Sequence, residues 1–177
     1  MSQTIIENVS VIPMRQEGVL PNRDVLIRSG IIAEVRPTSS RNYGSGVAVV
    51  PGDGKFLLPG LCDMHTHASN LLNFAQLYLL HGVTTVRDTA CVPELFQWRR
   101  ENPAGVAMVP EVYAPGPVLE GERQQWKDKR FSKVVVGKNQ VEKAVADAWR
   151  IGADFIKLYH TLARKDYFYA ANVARSY

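Results

Sequence analysis

The stretch Leu58-Pro59-Gly60-Leu61-Cys62-Asp63-Met64-His65-Thr66-His67 decides how this chain is read. A short apolar run, Phe56–Cys62, leads into Asp63–His67, as in a strand that leaves a core at its C-terminal end. On such a strand Asp63, His65 and His67 alternate onto one face. Two imidazoles at that spacing are able to present nitrogen to one metal ion at about 2.0–2.1 Å. The same pair also reads as two ordinary exposed or hydrogen-bonded histidines, and spacing alone leaves both readings open.

Downstream, Leu71, Leu72, Ala75, Leu79 and Leu80 have the spacing of one buried helix face, closed by His81-Gly82 with the glycine as a left-handed cap. Val83–Arg87 reads as a strand. Pro93 to about Asn102 reads as a helix with proline near its first turn, and Pro103 and Gly105 mark its exit. Val109–Ala114 is a third strand. A further helix starts at Asn139, an N-cap with Glu142 three residues on, and runs to Gly152. Asp154–Tyr159 is a fourth strand, and Asp166–Ser176 begins another helix. Strict βα alternation predicts a parallel sheet whose strands are apolar and buried on both faces. Upstream, Val25–Arg28 and Ile31–Val35 flank Ser29-Gly30 as a hairpin, and Val47–Val50 adds a strand, making a small β unit. The expected fold is α/β: a β unit over 1–57, then 58–177 as the first four βα units of a (β/α)8 TIM-like barrel. A complete barrel takes about 250 residues.

The 177 residues are 46% hydrophobic and 21% charged, which is globular composition. Two cysteines, Cys62 and Cys91, are too few for a disulfide framework and read as buried small residues. No apolar run approaches the roughly 18 residues of a membrane helix, and Met1–Ile5 does not resemble an export signal. A soluble, cytoplasmic protein without membrane partners is expected. The net charge of +4 thickens at Arg123, Lys127, Lys129, Arg130, Lys133 and Lys138, interrupted by Glu122 and Asp128. That segment reads as a solvated loop or an anion contact, and nucleic acid is not an expected partner. Trp98 and Trp149 read as packing residues, Trp126 as a residue that lines a site.

Lys157 lies within the apolar run Phe155–Leu158. A buried ammonium is costly unless paired. It either snorkels out at the strand end or is neutral enough to react or ligate, and its neighbours do not choose between these.

Leu58–His67, Gly82-Val83-Thr84-Thr85-Val86-Arg87-Asp88 and Gly152-Ala153-Asp154-Phe155-Ile156-Lys157-Leu158-Tyr159 together resemble the first, second and fourth barrel strands of the amidohydrolase superfamily. The flavour is that of its imidazolonepropionase-like and prolidase-like branch, and the resemblance covers the N-terminal portion of such proteins. It implies that the opening hairpin is part of a small β-sandwich. It implies that His65 and His67 bind the more buried of two divalent ions, most often Zn2+. Lys157 would be catalytic, carrying a CO2-derived carbamate that bridges both ions. A hydroxide held between them would attack an amide, cyclic amide or dipeptide carbonyl. Asp63 and Asp88 are candidates to orient histidines from behind, or simply to tie down loops. Tyr159 and His160 are candidates for substrate contact, and His81 reads as a favourable charge at a helix end.

The family takes further histidines from its fifth and sixth strands and an aspartate from its eighth, and no residue beyond Lys157 matches these. His160 is too close, and Asp166 precedes the final helix. The expectation is therefore the N-terminal part of a metal-dependent hydrolase, inactive as a lone chain, needing a complementing C-terminal half. The alternative is a non-catalytic half-barrel that binds metal or anions or self-associates through open strand edges.

Overall fold

The computed structural model describes residues 3–39, 43–67, 71–103 and 107–177, without the side chains of residues 71–74. The expected helix-face positions Leu71 and Leu72, and the helix-exit residue Gly105, lie outside what is described. The described residues form two compact units, Met1–Pro59 and Gly60–Tyr177.

The first unit is one sheet built from β1 (Gln3–Val11), β2 (Leu20–Arg28), β3 (Ile31–Pro37), β4 (Val47–Pro51) and β5 (Phe56–Leu57). Its order is β3-β2-β1-β4, with β5 also on β1. β1–β2 and β2–β3 are antiparallel, whereas β4 and β5 run parallel to β1. The Ser29-Gly30 hairpin is present, with φ of 49° and 80°. Two positive φ values in a two-residue loop match the twist of the strands they join. The central strand β1 is absent from the sequence reading. Its alternation is broken between Ile6 and Val9, where the register shifts and Asn8 takes φ of 52°. Val9, Val11 and Val25 nonetheless make one buried cluster.

That irregularity serves a buried carboxylate. Asp24 is fully buried, and accepts hydrogen bonds from the Asn8 N–H (3.2 Å), Thr38 Oγ1 (3.0 Å) and Tyr43 hydroxyl (2.9 Å). Burial alone would push the carboxyl up, but the donors outweigh it and hold Asp24 below the usual carboxylate range. Burial and the facing Asp24 push the Tyr43 phenol up to about 12.

The second unit alternates β6 (Leu61–Thr66), α1 (Leu71–Leu80), β7 (Val83–Asp88), α2 (Glu94–Glu101) and β8 (Glu111–Tyr113). Next come β9 (Val118–Glu120), β10 (Ser132–Val134), α3 (Lys138–Ile151) and α4 (Arg164–Ala174). β6-β7-β8 form a parallel sheet, and β9 and β10 a separate parallel pair. One core joins Ala75, Val86, Leu95, Phe96, Val112 and Ala114; a second joins Leu119, Val135, Val141, Val145, Leu162 and Ala170. Gly60 is required by close packing, because a Cβ there would run into the Thr84 side chain.

Several expectations are corrected. The strands are not buried on both faces: Leu61, Met64 and Tyr113 are exposed. β9, by contrast, is buried at all three of its positions, Val118, Leu119 and Glu120. Asp154–Tyr159 is not a regular strand but makes isolated parallel bridges, Pro115 to Phe155 and Leu119 to Leu158. β9 and β10, at three residues each, are too short to show a period: the sequence leaves β9 unassigned, and β10 lies in the segment read as a solvated loop. In α1, Ala75, Tyr78 and Leu79 turn inward, whereas Leu80 is 78% exposed. It lies ~140° around the helix from Ala75. The cap of α3 is Gly137 rather than Asn139, with no side-chain cap bond; Gln140 Oε1 and Asp166 Oδ2 instead accept the N–H groups of Val136 and Gly137 just ahead of the helix. Cys62 is exposed while Cys91 is buried, and Trp149 is exposed beside Tyr177. The left-handed glycines at 82 and 152 end α1 and α3 as expected.

Arg99 of α2 fastens the far end of the unit. Its Nη1 donates to Val112 O (3.0 Å) and Asp154 Oδ2 (2.5 Å), and its Nη2 to Gly152 O (2.7 Å). Asp154 also accepts the Ala114 N–H at 2.8 Å. This sets the register in which residues 155–159 run beside β9.

Asp24 gives a signed pH prediction. A carboxylate whose folded pKa is depressed stabilises fully above its unfolded value of about 3.9, and that contribution is lost as pH falls through the folded value. Asp24→Asn should destabilise the chain by about 1–3 kcal/mol at pH 7. In urea melts the gap from wild type should close as the medium is acidified below that range. A gap that is the same at pH 7 and in strong acid would contradict this account.

Candidate functional site

β6 ends at the histidine pair, and its pairing with β7 is irregular there. Asp63 lies opposite Val86 and Thr66 opposite Asp88, so three residues on β6 span two on β7. This extra residue is a β-bulge. Asp63 and Thr66 take the register of Val86 and Asp88, both fully buried, and Asp63, His65 and His67 nonetheless line one cleft. Asp63 Oδ1 accepts the backbone N–H of His65 at 3.1 Å, so it shapes the bulge rather than holding an imidazole.

His65 and His67 are exposed, with ring centres 5.5 Å apart and planes nearly perpendicular at 85°. A Zn–N bond of about 2.0–2.1 Å places a shared ion about 3 Å from each ring centre, so this separation fits two ligands of one ion. Thr66 between them has a buried Oγ1 without a hydrogen-bond partner among the described residues. A cleft of about 590 Å3 opens beside the pair, lined also by Asp63, Tyr78 and His81. Burial, with the nearby Asp63 and Asp88 carboxylates, pushes the Tyr78 phenol up. Asp88 is buried and accepts the Ala90 N–H at 2.5 Å. No group of three His, Cys, Asp or Glu with metal-holding geometry occurs among the described residues.

A line of rings continues from the pair. His67 meets Trp126 at 6.2 Å and 62°, Trp126 meets Tyr159 at 6.4 Å and 74°, and Tyr159 meets His160 at 4.6 Å. The structure therefore brings His65, His67, Tyr159 and His160 together, with Trp126 at the centre. Lys157 is half-buried and lies two residues before Tyr159 in the same bridged segment. Its backbone carbonyl accepts the Leu119 N–H at 2.9 Å.

Glu120 is the residue that sequence reading missed. It is fully buried at the end of β9, and accepts the backbone N–H groups of Gln125 (2.6 Å) and Trp126 (3.2 Å). Ser132 closes the loop by donating to Trp126 O at 3.2 Å. The basic residues 123, 127, 129 and 130 ride on this loop, exposed, and Arg130 is paired with Asp128. The available signal was one glutamate in an otherwise apolar Val118-Leu119-Glu120, which a three-residue strand makes easy to overlook.

No family profile matches the chain. An adenine deaminase from Ruegeria sp. is 35% identical over 89 residues, 48% of this chain and 15% of that protein. A dihydroorotase from Carboxydothermus hydrogenoformans is 46% identical over 63 residues, 36% of this chain and 14% of that protein. Among solved structures, a Xaa-Pro dipeptidase superposes with a TM-score of 0.83 at 19% identity, covering 99% of this chain and 55% of the other. A bottromycin amidohydrolase gives 0.78 at 24% identity, covering 99% and 37%. This chain spans about half or less of these proteins. Fold and sequence together identify it as an amidohydrolase-superfamily relative.

The Glu120 anchor is testable. Glu120→Ala removes the acceptor of two loop N–H groups, and unmet buried donors cost about 1–3 kcal/mol. Limited trypsin digestion should then cut at Arg123, Lys127, Lys129 or Arg130 faster than in wild type. An unchanged cleavage rate with an unchanged melting temperature would remove Glu120 from this role.

Proposed function

We propose that this chain supplies one side of the site of a metal-dependent hydrolase acting on C–N bonds in amides, cyclic amides or dipeptides. The carrying observation is the His65–His67 pair, 5.5 Å apart, at the end of the first strand of a parallel sheet. The relatives support the reaction class, being named for deamination, dihydroorotate chemistry and Xaa-Pro dipeptide cleavage. In the same reading residues 58–177 are the first four βα units of a (β/α)8 barrel, and residues 1–57 part of a β-sandwich. A cytoplasmic setting and a complementing C-terminal half belong to this proposal as well.

A divalent metal, when bound, polarises a carbonyl and lowers the pKa of water to about 7. His65 and His67 would hold it through ring nitrogens, with the bulge at Asp63 setting their backbone. Lys157 would add an oxygen ligand as a carbamate: the ammonium loses one proton, the neutral amine bonds the CO2 carbon and releases a second, and a cation becomes an anion. That chemistry suits a half-buried amine without a hydrogen bond or ion pair among the described residues. Tyr159 and His160, at the end of the same segment, would face substrate. Since no third histidine or carboxylate joins the pair among the described residues, the isolated 177 residues are expected to bind metal without turnover.

Titration calorimetry on the metal-free chain should give about one Zn2+ bound, weakened at least about ten-fold in His65→Ala and in His67→Ala. Both histidines are exposed, so these variants should keep the wild-type melting temperature. A double variant with wild-type zinc affinity would sink the reading. With 13C-bicarbonate, a carbamate carbon signal should appear with zinc and vanish in Lys157→Met. Hydrolysis of Gly-Pro by these 177 residues alone would overturn the expectation of binding without turnover.

A further inference from the structure

The ring line beside His67 is more than packing. Trp126 is half-buried although its neighbours 122–125 and 127–130 are exposed, so an otherwise solvated loop turns this one side chain inward. The turn is imposed from beneath by the buried Glu120 carboxylate on the Gln125 and Trp126 N–H groups, and by Ser132 on the Trp126 carbonyl. A buried carboxylate is costly unless its oxygens are satisfied, so this is a built anchor and not an incidental contact. The indole it presents stands at 62° to His67 and 74° to Tyr159. A second cavity, about 460 Å3, has Gln125 and His160 in its wall.

We propose that Trp126, held by Glu120 and flanked by Tyr159, is the specificity-determining wall of the site and selects substrates carrying a flat, π-bearing ring. Steeply inclined rings make a corner: a flat ring laid on one wall meets the edge of the other, the two geometries aromatic pairs favour. Any ring seated there lies against His67 and so within reach of chemistry at the histidine pair. A puckered or open-chain amide gains neither contact. The inference deepens the hydrolase reading and rests on it for the reaction, but ring binding does not itself need metal.

The three tryptophans provide an internal control. Indole N–H resonances of the 15N-labelled full chain would be followed during titration with uracil, a flat ring amide. Parallel titrations would use 2-piperidone, a puckered ring amide, and N-acetylglycinamide, an open-chain one. The Trp126 signal, assigned by its loss in Trp126→Phe, should move with uracil while those of Trp98 and Trp149 stay. Uracil affinity should fall about ten-fold or more in Trp126→Ala, the size expected for a lost stacking partner, and stay within about three-fold in Trp126→Phe. A merely structural tryptophan would not separate Phe from Ala while the melting temperature is kept. An unmoved Trp126 signal, or equal binding of uracil and either control amide, would overturn the proposal. Zinc binding with no uracil response would defeat this wall and leave the hydrolase reading standing. Uracil binding without zinc affinity would do the reverse.

Discussion

Arg99 and Asp154 hold together the part of the chain on which the candidate site depends. The guanidinium joins α2 to the end of β8, the cap of α3 and the start of the segment that carries Lys157 and Tyr159. Asp154 in turn takes the Ala114 N–H. Parallel neighbours cannot be tied by a short hairpin, so their relative register has to be set by contacts of this kind. With Asp154 placed, Leu119 and Leu158 fall into bridge register and Tyr159 comes up against the Trp126 ring.

The two halves of the site are then set by irregularities in regular structure. On one side the β6 bulge sets the backbone of the histidines, which line one cleft with Asp63 and Thr66. On the other, Glu120 ends β9 by folding the next loop back over itself. Both devices put backbone N–H groups on carboxylates, Asp63 on His65 and Glu120 on Gln125 and Trp126. The first unit uses the same means at Asp24, where an interrupted β1 offers the Asn8 N–H to a buried carboxylate. In each case a carboxylate is the point that fastens a loop or an interrupted strand, the second of the two roles the sequence left open for Asp63.

Much of this was legible. The hairpin at Ser29-Gly30, the helices, β7 and the glycine caps follow from period and turn chemistry. His65, His67 and Lys157 stood out because each is a costly or reactive residue in an apolar context. Three things were hidden. β1 loses its alternation at Asn8, and β9 and β10 are too short to have one. The bulge between Asp63 and Thr66 left no mark in the apolar pattern, although Asp63, His65 and His67 line one cleft as their spacing suggests. Glu120 carried no motif.

By itself the sequence determined the local elements, the candidate ligands and the kinship to amidohydrolases, because those depend on residues close together in the chain. Only the tertiary structure decided that Trp126 sits against His67 and Tyr159, that Asp63 takes the His65 backbone N–H, and that Arg99 places residue 154. These depend on strand register and on partners as much as 55 residues apart. A shift of one position in register reverses which side chains face each other, and no local pattern records it.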